Sequence, residues 1–323
     1  MGWRYLAVML STRKENSWPM PFSCALIDSA LTQPILKGTV AAASGLDLTF
    51  TTATVDDNSR AMIAGKYDIA EMSMATYVQA RARGLDLLAL PVFMGRRFLQ
   101  PCVAFAKNST IGSPSELRGK RIGLPQFWMT SSMWHRGLLE HEYGVPATQV
   151  EWVTTQPERL DAGFTPGARV TNVGDHPLSQ LPQLLSDGTV DVIFSPRPPA
   201  RDGKLGFLFD DPAATSLEYR NRTGIYPLLH TVVLKASLKH HAAALFDLFV
   251  RSKEHAYAHP GANEIESPIA GLSFDEARAC LGEPYPYGVR ANAAAIDAFL
   301  SYSVEQGLTT ERMTVADAFI VAE

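Results

Sequence analysis

Residues 117–145 read LRGKRIGLPQFWMTSSMWHRGLLEHEYGV, and this stretch decides the fold because it carries a strand, a turn and an amphipathic helix in one run. Residues 121–124, following Gly119, fit a short parallel strand, and Pro125, with no N–H to donate, stops the pairing. Thr130, Ser131 and Ser132 suit a helix start, since a hydroxyl oxygen accepts from the free amides of a first turn. Met133, Leu138, Leu139 and Tyr143 follow at roughly helical spacing, and Gly144 and Pro146 end the helix. A strand feeding such a helix start leaves backbone N–H groups facing out of the carboxyl edge of a sheet, where the helix dipole favours an anion. The stretch therefore predicts a cradle for a carboxylate or phosphate. The plain alternative is an ordinary strand-to-helix corner whose hydroxyls only cap.

Working outward, residues 68–73 (DIAEMS) repeat this plan: a short strand with one carboxylate, Glu71, runs into Ser73-Met74-Ala75-Thr76 at a second helix start. Residues 85–93 (LDLLALPVF) read as a buried strand, and Gly95-Arg96-Arg97 places guanidinium groups at its carboxyl end. Residues 46–53 alternate like a strand, 59–64 form a short helix, and 18–35 read as loop and then helix. Residues 3–10 (WRYLAVML) are expected to be the first strand. They are short, lack a basic segment before them and a small-residue cleavage pattern after them, and so do not read as a signal peptide.

From about residue 108 the pattern restarts, with strands at 120–124, 150–153 and 190–195. Residues 161–175, rich in Gly, Pro and Thr, read as an irregular surface excursion. Residues 223–236 (TGIYPLLHTVVLKA) are a long extended run that returns to the first domain. The rest is helix-rich, with apolar residues at helical intervals in 242–258, 274–280, 293–306 and 314–319, and is expected to pack on the first domain. The fold expected is α/β, two-lobed, with a hinge and an interdomain cleft: domain 1 from residues 1–105 plus 228–323, domain 2 from 106–227.

Composition narrows the function classes. The chain has 323 residues, enough for two cores, and 46% hydrophobic with 19% charged residues is the balance of a folded soluble protein. A formal net charge of −4 without a long Lys/Arg cluster argues against nucleic acid or an anionic membrane as partner. Cys24, Cys102 and Cys280 are odd in number and widely spaced, so neither a disulfide framework nor a structural zinc site is expected, and a reducing, cytoplasmic location fits. His255 and His259 stand i, i+4 on a predicted helix, but no third ligand accompanies them and no metal is expected. There is no G-x-S-x-G, Walker or dinucleotide motif.

Ligands of such sheets sit beyond the strand carboxyl ends. The groups expected there are Ser73, Thr130 and Ser131 at the helix starts, Arg96 and Arg97, and Arg197, held stiffly in Pro196-Arg197-Pro198-Pro199. Arginine forks pair with carboxylates through two parallel hydrogen bonds, so the set suits a small di-anion. Trp128, with Trp134 and Phe127, is a candidate to stack on an aromatic ring, the plainer alternative being a place in the core. His230, on the returning strand, titrates near neutrality and is a candidate acid or base; Glu71, a carboxylate on an otherwise apolar strand where desolvation would raise its pKa, is the second. Each has a plainer alternative: a solvated turn for the arginines, a satisfied core histidine, and an ion pair of Glu71 with Arg60 or Arg81.

These residues also carry a family resemblance over nearly the whole chain. GKYDIAEMSMATYV (65–78), ALPVFMGRRF (89–98), LRGKRIGLP with MTSSMWHRGLLEHEYGV, SPRPP (195–199), RTGIYPLLHTVVL (222–234) and YPYGV (285–289) together resemble the 4,5-dihydroxyphthalate decarboxylase family, a cytoplasmic branch of the type II periplasmic binding protein fold. The resemblance implies cofactor-independent decarboxylation of an aromatic diacid, a small-molecule aromatic carboxylate as partner, and leaves homo-oligomerisation open. The chain departs from the family pattern at Leu99, Gln100, Pro101, Gln126, Ala30 and Leu31, where more polar groups are expected; this suits a substrate with fewer hydroxyls or one fewer carboxylate. The rival class is a solute-binding protein that closes on a carboxylic acid without transforming it.

Overall fold

The computed structural model describes residues 21–160, 163–260 and 264–320. The strand expected at 3–10 lies outside them. In chain order the strands are β1 (Phe22–Leu26), β2 (Leu48–Thr52), β3 (Ile69–Ser73) and β4 (Leu87–Leu90), then β5 (Val103–Ala106), β6 (Arg121–Leu124), β7 (Glu151–Thr154), β8 (Arg169–Asn172), β9 (Val192–Phe194) and β10 (Leu205–Phe207), and last β11 (His230–Lys235). They form two mixed sheets, ordered β2-β1-β3-β11-β4 and β10-β5-β9-β6-β7-β8. The molecule is a two-lobed α/β protein. Each sheet takes its one antiparallel central strand from the segment that has just crossed between lobes: β5 pairs antiparallel with β9, and β11 with β3 and β4.

β3 is buried at all five positions, as a strand covered on both faces must be, which makes the carboxylate of Glu71 conspicuous. The helix Thr130–Tyr143 follows β6 and ends at Gly144, whose φ of 64° is the left-handed conformation a helix C-terminus uses. Local pattern misled in three places. β1 falls inside 18–35, because FSCAL lacks the alternation that marks a half-buried strand. β8 falls inside 161–175; it is an edge strand with no buried residue and no apolar period. The run 223–236 is strand only from His230, since the helix Pro212–Thr223 ends in Gly224 and Pro227 interrupts pairing.

Helix Ala242–Ala258 buries Leu245, Leu248, Phe249 and Ala256 at helical spacing in one apolar cluster with Val232 and Leu234 of β11, as expected. Helix Ala293–Glu305 does otherwise, and the expectation that it packs on the first domain is corrected. It lies along helix Thr130–Tyr143 of the second lobe, where the Trp134 ring centroid is 5.6 Å from those of both Phe299 and Tyr302. Gly137 makes this possible: a Cβ there would stand 2.2 Å from the Tyr302 ring. Periodicity identifies an apolar face without naming its partner. Among the described residues, no helix is long and apolar enough to cross a membrane.

The chain passes from the first sheet to the second between Leu90 and Val103, and back between Phe207 and His230. The two passages lie side by side: Arg96 and Leu228 form an antiparallel bridge, and the amides of Leu229 and His230 both donate to the Gly95 carbonyl, at 2.8 and 3.1 Å.

Candidate functional site

A cavity of about 560 Å³ opens between the lobes beside these crossings. From the first lobe it is lined by Glu71 and Ser73 of β3, by Arg97, and by His230 at the start of β11; from the second by Thr130, Ser131 and Arg197. The antiparallel register sets His230 opposite Ser73 and Val232 opposite Glu71, which brings the two titratable side chains together. His230 Nδ1 lies 3.1 Å from Glu71 Oε1, and Glu71 Oε2 accepts from the Ile27 amide at 3.2 Å. The Glu71 side chain is only 3% exposed. The contact is made by Nδ1, so Nε2 is the ring nitrogen that does not meet Glu71. Neither Arg60 nor Arg81 pairs with Glu71.

Gly95 is what lets the imidazole sit there. A Cβ at this position would stand 2.3 Å from His230 Nδ1, 2.6 Å from Cγ and 2.9 Å from Cε1. Because the contact includes the ring's root atom, rotation of the ring tip does not relieve it. Gly95→Ala is expected to force the imidazole out of line with Glu71 at a cost of about 1–3 kcal/mol. A crystal structure of the variant and its thermal midpoint check this; an unmoved His230 ring with an unchanged midpoint would show that Gly95 does not set the imidazole's position.

At the mouth, Arg97 and Arg197 come together on one carboxylate. Arg97 Nη2 donates to Glu266 Oε1 at 2.6 Å and Nη1 to the Pro196 carbonyl at 2.9 Å, while Arg197 Nη1 reaches both Glu266 oxygens at 3.1 and 3.2 Å. Deeper in, the Thr130 hydroxyl meets that of Ser73 at 2.8 Å and accepts from the Ala75 amide at 3.0 Å. A hydroxyl of the second lobe thus satisfies a first-turn donor of the first lobe's helix Met74–Ala82, tying the two helix starts across the cleft.

Two expected ligand contacts are corrected. Arg96 does not face the cavity. It is 2% exposed, with Nη1 donating to Asn292 Oδ1 at 2.8 Å and to the Pro286 carbonyl at 3.2 Å, Nη2 donating to the Tyr226 carbonyl at 2.8 Å, and its guanidinium 3.6 Å from the Tyr226 ring centre. Alternation explains this: adjacent residues of an extended crossing point to opposite sides, so only one of Arg96 and Arg97 can reach the cleft. Trp128 also faces away, its indole N–H donating to the Gly163 carbonyl at 2.8 Å and its ring edge-on to Phe127.

Beyond β6 a carboxylate is held by two backbone amides, but they belong to the loop before the helix and not to the helix start expected to form the cradle, and the carboxylate is the chain's own. The Phe127 and Trp128 amides donate to Glu158 at 2.6 and 3.1 Å. Burial pushes the Glu158 carboxyl up from its usual range despite those two amides and the nearby Arg136 and Arg159. The next residue, Arg159, lines the cavity and went unread in the sequence. Its Nε is paired with Asp56 of the first lobe and Nη1 donates to the Thr76 hydroxyl at 3.3 Å. Burial raises the Asp56 carboxyl, but Arg159 and Arg60 outweigh it and hold the group below its ordinary value. The signal for Arg159 was available: it follows the carboxyl end of β7 as Arg97 and Arg197 follow those of β4 and β9.

This architecture is that of the type II periplasmic binding proteins. The structure matches the aliphatic sulphonate binding protein SsuA of Escherichia coli with TM-score 0.56 at 13% identity, covering 94% of this chain and 92% of that one. It matches a putative periplasmic sulfonate-binding SsuA of Methylobacillus flagellatus with TM-score 0.57 at 15% identity, covering 93% and 91%. Residues 35–168 fit the model of the ABC transporter phosphonate periplasmic substrate-binding protein family. In sequence the chain is 30% identical over 279 residues to the 4,5-dihydroxyphthalate decarboxylase of Comamonas testosteroni, spanning 80% of this chain and 84% of that protein. It belongs to the 4,5-dihydroxyphthalate decarboxylase family.

Proposed function

We propose that the protein is a non-oxidative carboxy-lyase that removes CO2 from a phthalate-type, hydroxylated aromatic acid in the cleft between its lobes. The observation that carries this reading is the His230–Glu71 pair, a buried carboxylate behind an imidazole that opens on the cavity. Mere retention of an acid does not call for such a pair; delivering a proton does.

The reaction needs a proton on the ring carbon that bears the departing carboxylate. His230, protonated and steadied by Glu71, gives its Nε2 proton to that carbon, and a hydroxyl para to it spreads the charge that develops in the ring. The carbon–carboxylate bond then breaks, its electron pair restores the aromatic ring, and CO2 leaves. One proton is consumed for each CO2, so His230 is reprotonated from water before the next turn. Arg97 and Arg197 hold the carboxylate that stays. Clamping the one that leaves would stabilise a charge that vanishes on the way to CO2 and would slow the step. Ser73, Thr130, Ser131 and Arg159 bound the opposite side, where they would meet the second anionic group or the ring hydroxyls.

Release of CO2 from 4,5-dihydroxyphthalate, phthalate and hydroxybenzoates tests this directly. Turnover of at least one ortho-diacid or para-hydroxy acid is expected. Tight binding without CO2 across the panel would overturn it in favour of a solute-binding protein.

A further inference from the structure

Glu266 stands in the cavity as a carboxylate supplied by the chain itself. Its position between the Arg97 and Arg197 guanidinium groups, with contacts of 2.6, 3.1 and 3.2 Å, is the one a ligand carboxylate would take. The backbone at this residue is fixed, since the Glu266 carbonyl accepts from the Tyr285 hydroxyl at 2.7 Å. The side chain, by contrast, is 53% exposed and can turn into water while the chain that carries it stays in place. Arg197 is more exposed still, at 68%, so its hold on Glu266 is of the weak, water-screened kind.

Charge points the same way. Among the described residues, the cavity lining carries three arginines, Arg97, Arg197 and the Asp56-paired Arg159, against four carboxylates, Asp28, Glu71, Glu264 and Glu266. With Glu266 in place the lining repels a di-anion. With Glu266 turned out, one negative charge leaves the lining and the Arg97 Nη2 and Arg197 Nη1 groups that held it are freed, while Arg97 Nη1 stays on the Pro196 carbonyl.

We propose that Glu266 is a specificity-determining residue: it fills the arginine clamp as an internal carboxylate, and a ligand enters by putting its own carboxylate where Glu266 stands. The inference rests on the reading of Arg97 and Arg197 as a carboxylate clamp. A ring without a carboxylate has nothing to offer in exchange, so the clamp selects acids over neutral phenols of the same size. Replacing the carboxylate by its neutral isostere removes the competitor and keeps the packing.

The test is calorimetric titration of phthalate and of catechol into wild type, Glu266→Gln, Glu266→Ala and Arg197→Gln, with a thermal midpoint for each. Both Glu266 variants are expected to bind phthalate about three- to tenfold tighter than wild type, with catechol unchanged. Arg197→Gln is expected to bind phthalate more weakly. If Arg197→Gln loses affinity while the Glu266 variants gain none, Glu266 is a structural ion pair and this inference alone falls. If Arg197→Gln binds phthalate as wild type does, the clamp itself is misassigned and the inference falls with it.

Discussion

His230→Gln is expected to lower CO2 release at saturating substrate by at least about a hundredfold, the usual contribution of a positioned general acid, with little change in KM. Glutamine fills much of the same volume and still presents a polar group, but it has no proton to give a ring carbon. Glu71→Gln tests the partner. The amide oxygen can still accept from the Ile27 amide, now 3.2 Å from Glu71 Oε2, so the strand is undisturbed, while the negative charge that stabilises an imidazolium is gone. The single variants and the double variant should lose similar amounts of rate, because two groups that act as one unit are not additive. The stability cost of His230→Gln should be small, since that side chain is 22% exposed and, among the described charged groups, meets Glu71 alone at salt-bridge distance. Wild-type turnover in His230→Gln would move proton delivery to another residue. A double variant that loses the product of the two single losses would show that the pair is no unit.

Much of the architecture was legible because it is written locally. The two strand-to-helix corners, at β3 with Ser73 and at β6 with Thr130, follow from buried runs that stop at hydroxyl-rich helix starts, and β11 follows from its apolar residues. What was not legible depends on contacts between distant segments. Nothing in LPQFW says that its amides will be taken by Glu158, thirty residues on, because a free amide cradle and a filled one have the same sequence. Helix 293–305 shows its apolar face plainly, yet only the gap at Gly137 identifies the surface it meets. The sequence places Arg96 and Arg97 together at the cleft, and Arg96 with Arg197 as the clamps, because it carries strand direction without register. The bridge from Arg96 to Leu228 fixes that register and divides the two side chains between the cleft and the hinge.

That division makes the two neighbours separable by experiment, with Arg96→Met expected to cost about 3 kcal/mol of stability and Arg97→Met under about 1 kcal/mol. Arg96 is buried and, among the described residues, has no carboxylate at salt-bridge distance. Burial pushes its guanidinium down to about 10, so it remains charged at neutral pH, held by the Tyr226 ring face and by three oxygens from segments far apart in sequence. Methionine replaces the stem but leaves the Tyr226 carbonyl and Asn292 Oδ1 without this donor where water has little access, each such orphan costing about 1–3 kcal/mol less whatever relaxation recovers, while the Pro286 carbonyl keeps the Asn292 side-chain amide at 2.9 Å. Two of those oxygens belong to the segment that leads into helix Ala293–Glu305, and the third to the crossing that carries His230. The loss should therefore loosen the seat of His230 as well as lower the melting midpoint. Among the described residues Arg97 hydrogen-bonds to the Pro196 carbonyl and Glu266, so Arg97→Met should leave the midpoint nearly in place and weaken phthalate binding instead. Thermal melts and phthalate titrations on the two variants decide the matter. An Arg96 variant that melts as wild type does and fails to bind phthalate would return Arg96 to the cleft and reverse the hinge assignment.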